Sequence, residues 1–478
     1  MVSDEQKGRE TMSRSAHTFL SKKKQVAGMA VGAIAMLALA GPALTDDNED
    51  GNSSKKDEVF KVTTVIQVPA AAANTAGTFF SFDISWFDPT HKKFFLADRN
   101  NKAIDVVDAK NPGAGVTQQF FEAFARVNPG GNDFSGPDGV LTANNGTELW
   151  VGDSPGKVWV MNSGTGSLVA LPGSTSTPPN PISVGGAGRA DELCYDPKDN
   201  IILIASPADG FVTFISSAAA NKGKVLGQLK ITSGTGIEQC AWNPKNGLFY
   251  LNVPNDPNPG DQVWVINPTT RAVDRKITID IKDCSGVRGM AFGLDNQLLI
   301  GCSTPSPPNP PNQRNSIVID ATSGTTAKVL KVLSNLGGAD EVWFNPDDNH
   351  YVIPSCNTPC RTVGANGTEQ LGIVDSAKLR LDKSVTIAEQ NGVKTPLPPP
   401  NPRTIHSAAA GGNLIFLPIP AVGGTVPQFD PTLCDSFDDS ITRVGNPTSL
   451  TGCIVILKAK SDKDDRVAKE REGDDSQN

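Results

Sequence analysis

Four segments of this 478-residue chain share one spacing: FDISWFDP (82–89), ADELCYDP (190–197), IEQCAWNP (237–244) and ADEVWFNP (339–346). Each has an acid, an aromatic four residues on, then Asp or Asn, and Pro six residues after the acid. The acids are Asp83, Asp191, Glu238 and Asp340; the prolines are Pro89, Pro197, Pro244 and Pro346. Proline fixes φ and ends ladder pairing, so each segment reads as a short strand running into an Asp-Pro or Asn-Pro turn. A second apolar run follows every turn: KFFLA, IILIA, LFYLN and HYVIP.

Three looser copies fill the gaps, GPDGVLTANNGTELWVGD (136–153), VRGMAFGLDNQLLIGC (287–302) and RTIHSAAAGGNLIFLPI (403–419). A third strand recurs in all seven units, from AIDVVD (103–108) to CIVIL (453–457), and the units step by 47 to 65 residues. Seven such sheets arranged radially make an all-β, seven-bladed β-propeller of four-stranded blades. The last unit stops at its third strand, while EVFKVTTVIQV (58–68) is an orphan alternating strand ahead of the first unit. It is expected to complete blade seven from the N-terminus and close the ring, leaving no open edge. The propeller is expected to span 58–458 as one domain. The 46 Gly and 36 Pro agree, being turn material rather than helix material.

Residues 21–45, SKKKQVAGMAVGAIAMLALAGPALT, show three lysines, an apolar run and a small-residue stop, the order of a secretory signal. Residues 1–45 are therefore expected to be a cleaved signal, with an uncleaved anchor as the alternative and Met12 as a possible start. No other stretch is apolar enough to cross a bilayer, so a cleaved chain would have no membrane span. The protein would be exported, periplasmic or secreted. Residues 46–57 and 459–478 are charge-rich without apolar periodicity and are expected to be disordered. Beyond residue 40 the chain carries 37 Lys+Arg against 48 Asp+Glu, which gives no basic face for nucleic acid. All eight cysteines follow the signal, and an even number in an exported chain fits disulfides. Cys356–Cys360 and Cys434–Cys453 are the expected pairs.

In a propeller the innermost strands run the same way along the central channel, so all seven strand starts open on one face. The channel mouth should then receive Asp83, Asp138, Asp191, Glu238, Arg288, Asp340 and His406. Carboxylates this close oppose one another's ionisation, and a cation is the natural compensator. Oxygen donors without a His/Cys cluster favour Ca²⁺ over zinc, with Mg²⁺ or Mn²⁺ less suited to a wide ring. The alternative is that the acids are repeat consensus, bonded to turn amides or Arg288. Neighbouring Glu192 and Glu341 cannot share the inward direction, because strand side chains alternate. Long Pro/Gly-rich connections around 254–261, 303–315, 356–370 and 419–451 should wall the same face.

The stretch PDGV…TELWVGDSPGKVWVMN (137–162) resembles the PDG…LWVA…G.V…D unit of the senescence-marker-protein/gluconolactonase-like propellers. The resemblance implies a divalent metal held by Asp138, Asp83 and Glu238. Asp83 stands where that family has Glu, and Glu238 where it has Asn. The repeats also resemble YVTN-type and NHL-type propellers, many of which bind proteins or polymers. A carotenoid-oxygenase-type site would need four iron-binding histidines, and only His91, His350 and His406 follow the signal.

Two readings follow. In the first, a Ca²⁺-dependent lactone or ester hydrolase, Asp83, Asp138 and Glu238 hold the metal, and His406, Asp191 or Asp340 activates water. Arg288 would orient an anionic substrate. In the second, a catalytically silent exported propeller recognises a protein or polysaccharide through its long loops.

Overall fold

The computed structural model describes residues 60–125, 135–172, 180–231, 236–254, 260–304, 314–357, 368–387, 405–421, 432–435 and 438–459. All lie in one compact unit, Asp57–Asn478. The expected signal, the acidic linker and the charged tail lie outside the described residues.

Seven sheets are present. Blade one is β2 (Phe82–Asp88), β3 (Lys93–Asp98), β4 (Ala103–Asp108) and β5 (Val116–Phe121) in sequential antiparallel order. Blades two to six repeat that order over residues 140–183, 193–230, 240–278, 285–334 and 343–386. Their innermost strands are β6 (Val140–Ala143), β10 (Leu193–Asp196), β14 (Cys240–Asn243), β18 (Ser285–Phe292) and β22 (Trp343–Asn345).

Blade seven is assembled from both ends of the chain. Strands β26 (Ala409–Gly411), β27 (Leu414–Ile419) and β29 (Cys453–Ala459) are joined by β1 (Phe60–Ile66), antiparallel to β29. The expected closure is present. One feature differs from the expectation: β28 (Thr442–Val444) pairs in parallel with the outer side of β1, so this blade has five strands. The long insertion before β29 supplies that strand and covers the blade's edge.

The turn chemistry explains the repeat. Asp88, Asp196, Asn243 and Asn345 each accept, through Oδ1, the backbone N–H two residues on, at 2.9–3.2 Å. Proline stands between donor and acceptor, where no N–H is needed. The turn then closes through the left-handed region at Lys92, Asn200, Gly247 and Asn349, nine residues after each acid. Between blades, the cores are apolar clusters such as Leu141, Trp150, Val158, Ile202 and Ile204, where facing sheets interleave.

Three disulfides are present among the described residues, Cys194–Cys240, Cys284–Cys302 and Cys434–Cys453. The last was expected. The first joins the inner strands of blades three and four. The expected Cys356–Cys360 pair lies outside the residues whose side chains are described. Disulfides of this kind fit an oxidising compartment. Among the described residues no helix is long and apolar enough to cross a membrane.

Candidate functional site: the acid ring

The inner strands bring the predicted residues to one end of the channel, each at or just before its strand. Asp83, Asp138 and Asp191 are buried and offer carboxylate oxygens within 4.8 Å of one another. Glu238 does not join them. It lies with Asp340 around Arg288, whose Nη1 is 2.7 Å from Asp340 Oδ1 and 3.4 Å from Glu238 Oε1. The carboxylates that approach Asp83 and Asp138 thus include Asp191, which the sequence placed among catalytic groups, rather than Glu238.

Two arginines that the sequence reading passed over complete the ring. Arg99 bridges Asp83 and Asp138, its Nη2 bonding Asp83 Oδ2 and lying 2.6 Å from Asp138 Oδ1, its Nε 3.0 Å from the same oxygen. Arg189 Nε donates to Asp191 Oδ2 at 2.7 Å. Both have a positional signal. Arg99 follows β3 directly, and the β2–β3 hairpin pairs Phe82 with Asp98, so it must return beside Asp83. Arg189 is two residues before Asp191 on an extended segment, hence on the same side.

Five carboxylates therefore face three guanidinium groups. Full ionisation would leave two negative charges in the ring, apart from His406. The groups respond accordingly. Burial pushes the Asp138 carboxyl well above the ordinary range, and Arg99 draws it back only in part. Burial lifts Asp191 to about 6 against Arg189, and Glu238 to about 8 against Arg288. Asp340 moves the other way, because Arg288 and His406 outweigh its burial and hold it ionised. Asp138 Oδ2 is buried and has no hydrogen-bond partner. Buried carboxylate oxygens are normally satisfied, so this one marks a position that expects a donor or a cation.

His406 sits at the edge of the ring. Its imidazole stacks on Phe82 with centroids 4.5 Å apart, and Nε2 is 3.8 Å from Asp83 Oδ1. Next along the strands, Glu341 accepts from Ser407 Oγ and from the Ser85 amide at 3.1 Å, yet burial holds it at about 8.

These raised acids set a pH dependence. Between the ordinary carboxylate range and about 8, the folded protein binds protons at Glu238 and Glu341 that the unfolded chain has released. Stability must therefore fall as pH rises through that window. Metal-free protein is expected to melt lower at pH 8.5 than at pH 6, and Glu341→Gln should remove part of the difference, on the order of a few kcal/mol. A melting profile that is flat over this range, or rises, would contradict the burial of these carboxyls.

The loops expected to wall the mouth are in place at their ends: β15 (Leu248–Val253) to β16 (Gln262–Asn267), and β19 (Gln297–Thr304) to β20 (Asn315–Asp320). Their centres lie outside the described residues.

No protein-family model and no curated protein sequence matches this chain. Among solved structures 1506 chains match, a number so large that likeness alone selects a fold and no activity. One is from the crystal structure of the mitotic checkpoint complex, 14% identical, covering 81% of this chain and 95% of its own, at a TM-score of 0.49. Another is from Kuenenia stuttgartiensis hydrazine synthase, 14% identical, covering 72% of this chain and 92% of its own, at a TM-score of 0.50. At such identity the likeness concerns the fold alone.

Proposed function

We propose that this chain is an exported β-propeller whose acid ring holds a divalent cation, Ca²⁺ before other metals, and presents it to an oxygen-rich ligand at the channel mouth. The observation that carries this reading is Asp138 Oδ2, buried and unpartnered among three carboxylates. The charge balance supports it, since an excess of two carboxylates over arginines equals one divalent ion. The donor set is all oxygen, as Ca²⁺ prefers. Asp83, Asp138 and Asp191 would hold the ion, and each keeps an oxygen outside its arginine pair. When bound, the ion would supply a fixed positive charge able to polarise a ligand carbonyl. Arg288, with 40% of its side chain exposed, would orient an anionic group.

Asp340 is held ionised by Arg288 and His406, and Asp191 belongs with the three carboxylates that would hold the ion, so neither is left free to activate water. This favours binding over turnover. The lactone or ester hydrolase reading, in the manner of the gluconolactonase-like propellers, rests on His406, which is partly exposed at the mouth and within reach of a substrate. A polysaccharide or protein ligand would instead engage the loops around the ring.

Metal analysis of protein purified without chelator is expected to find roughly one calcium per chain. A screen of lactones and aryl esters, with and without chelator, decides between the two uses of the site. Chelator-sensitive turnover lost in His406→Ala would establish the hydrolase. Bound calcium without turnover would leave the binding propeller. Absence of metal, with Asp138→Asn unchanged in stability, would overturn the proposal.

A further inference from the structure

Deeper in the channel, past the acid ring, the inner strands line an open cavity of about 320 Å³. Its walls include Trp86, Tyr195, Trp242 and Trp343, all partly exposed, together with the buried Glu192 and Glu341. No lysine or arginine lines it. Two of the indoles are pinned with their faces fixed. Trp86 Nε1 donates to Thr142 Oγ1 at 2.9 Å, Trp343 Nε1 to the Ala410 carbonyl at 2.7 Å, and the two rings meet edge to face at 5.0 Å. The indole N–H of Trp242 is buried with no acceptor. The charged groups that act most strongly on the buried Glu192 carboxyl are all acids, Glu341 among them.

Each observation narrows the occupant. Two carboxyls with no facing cation oppose an anion. A neutral hydrocarbon would satisfy the aromatic walls but leave the buried acids Glu192 and Glu341 without a counter-charge. A bare metal ion needs several converging oxygens, and most of those here are already engaged: Glu341 by Ser407 and Ser85, Thr142 by the Trp86 indole, and Gln239 by the Met290 and Val342 amides. A cationic nitrogen on an apolar body satisfies both halves, because indole faces attract cations and a cation beside the two carboxyls favours their ionised form. The volume is at the lower end for small-molecule sites.

We propose that this cavity binds an organic cation, an ammonium group on an apolar body, with the charge between Glu192 and Glu341 and the body against Trp86, Trp242 and Trp343. The cavity's lining includes none of Asp83, Asp138, Asp191, Glu238, Asp340 and Arg288, although Glu192 and Glu341 each adjoin a ring acid in the chain.

The test uses the whole protein, with chelator present, and benzyltrimethylammonium as the probe. Benzyl alcohol and phenylacetate serve as neutral and anionic comparators, and binding is read by calorimetry and tryptophan fluorescence. The ammonium should bind at least about tenfold more tightly than either comparator. Glu192→Gln and Trp242→Leu should each weaken it by about tenfold, while Asp138→Asn leaves it unchanged. Should Glu192→Gln fail to fold, Trp242→Leu, a change in a partly exposed wall, carries the decision. No preference for the ammonium, or affinity retained in the cavity variants, would overturn the proposal. Affinity lost in Asp138→Asn but kept in Glu192→Gln would do so too, by locating the cation in the acid ring.

Discussion

Replacing Arg99 with alanine is expected to destabilise the protein by about 3–5 kcal/mol, the usual cost of removing one partner from a buried charged network. Arg99 is 3% exposed and is shared by two carboxylates, Asp83 and Asp138, so its loss strands both. Asp138 would respond by holding its proton to still higher pH. Denaturant unfolding measures the loss. A second comparison separates the electrostatic cause from simple lost packing: Arg99→Ala combined with Asp138→Asn should be more stable than Arg99→Ala alone, because one of the stranded charges has gone. Added calcium should also restore more stability to Arg99→Ala than to the parent, since the ion takes over the neutralising role. If the double variant is no better than the single one, the ring is not organised by charge in the way described.

The second large effect concerns closure. Deleting residues 1–66 removes β1, which fills the gap between β29 and β28 in blade seven. Phe60, Val65 and Ile66 are at 1%, 0% and 0% exposure in the clusters that join blade seven to its neighbours. Burying three such side chains contributes roughly 5–9 kcal/mol at ~1.5–3 each, comparable with the whole stability of a typical domain. The deletion also bares β29 as a long apolar edge. Gel filtration should show soluble aggregates or no soluble protein. A milder variant, Val65→Asp, should unfold at much lower denaturant while remaining monomeric. A truncated chain that stays monomeric and unfolds cooperatively at the parent's midpoint would mean that β1 is an accessory strand and the ring closes without it.

Both effects depend on features that the sequence showed to different degrees. The blades were legible because a strand, an Asp-Pro or Asn-Pro turn and a second strand recur with constant spacing, and local turn chemistry determines that spacing. The orphan strand at 60–66 was legible by counting, since an incomplete last unit needs a partner. Strand β28 was not, because three residues, Thr442 to Val444, inside a long insertion have no periodicity to detect.

The convergence of Asp83, Asp138 and Asp191 followed from their common position in the repeat. Their arginine partners did not, because Arg99 stands at the end of a second strand and Arg189 on a linker, outside the repeated motif. Glu238 showed the limit of repeat logic in another way. Its position in the motif equals that of Asp191, yet Arg288 in the next blade draws it towards Asp340. Side chains in a ring are sorted by the nearest opposite charge, and a spacing pattern does not contain that information. The Cys194–Cys240 bridge was hidden for a similar reason. The two residues are separated by 46 positions and are brought to a Cα distance of 5.8 Å only by the packing of adjacent blades.

A cation in the acid ring should be visible by anomalous diffraction from crystals grown with calcium, or with manganese as its heavier substitute. One peak is expected at coordination distance, about 2.3–2.6 Å for Ca²⁺, from a carboxylate oxygen of Asp138, with Asp83 and Asp191 contributing the neighbouring ligands. A channel mouth without a peak at saturating metal, or a peak whose ligands exclude Asp138, would contradict a cation site there.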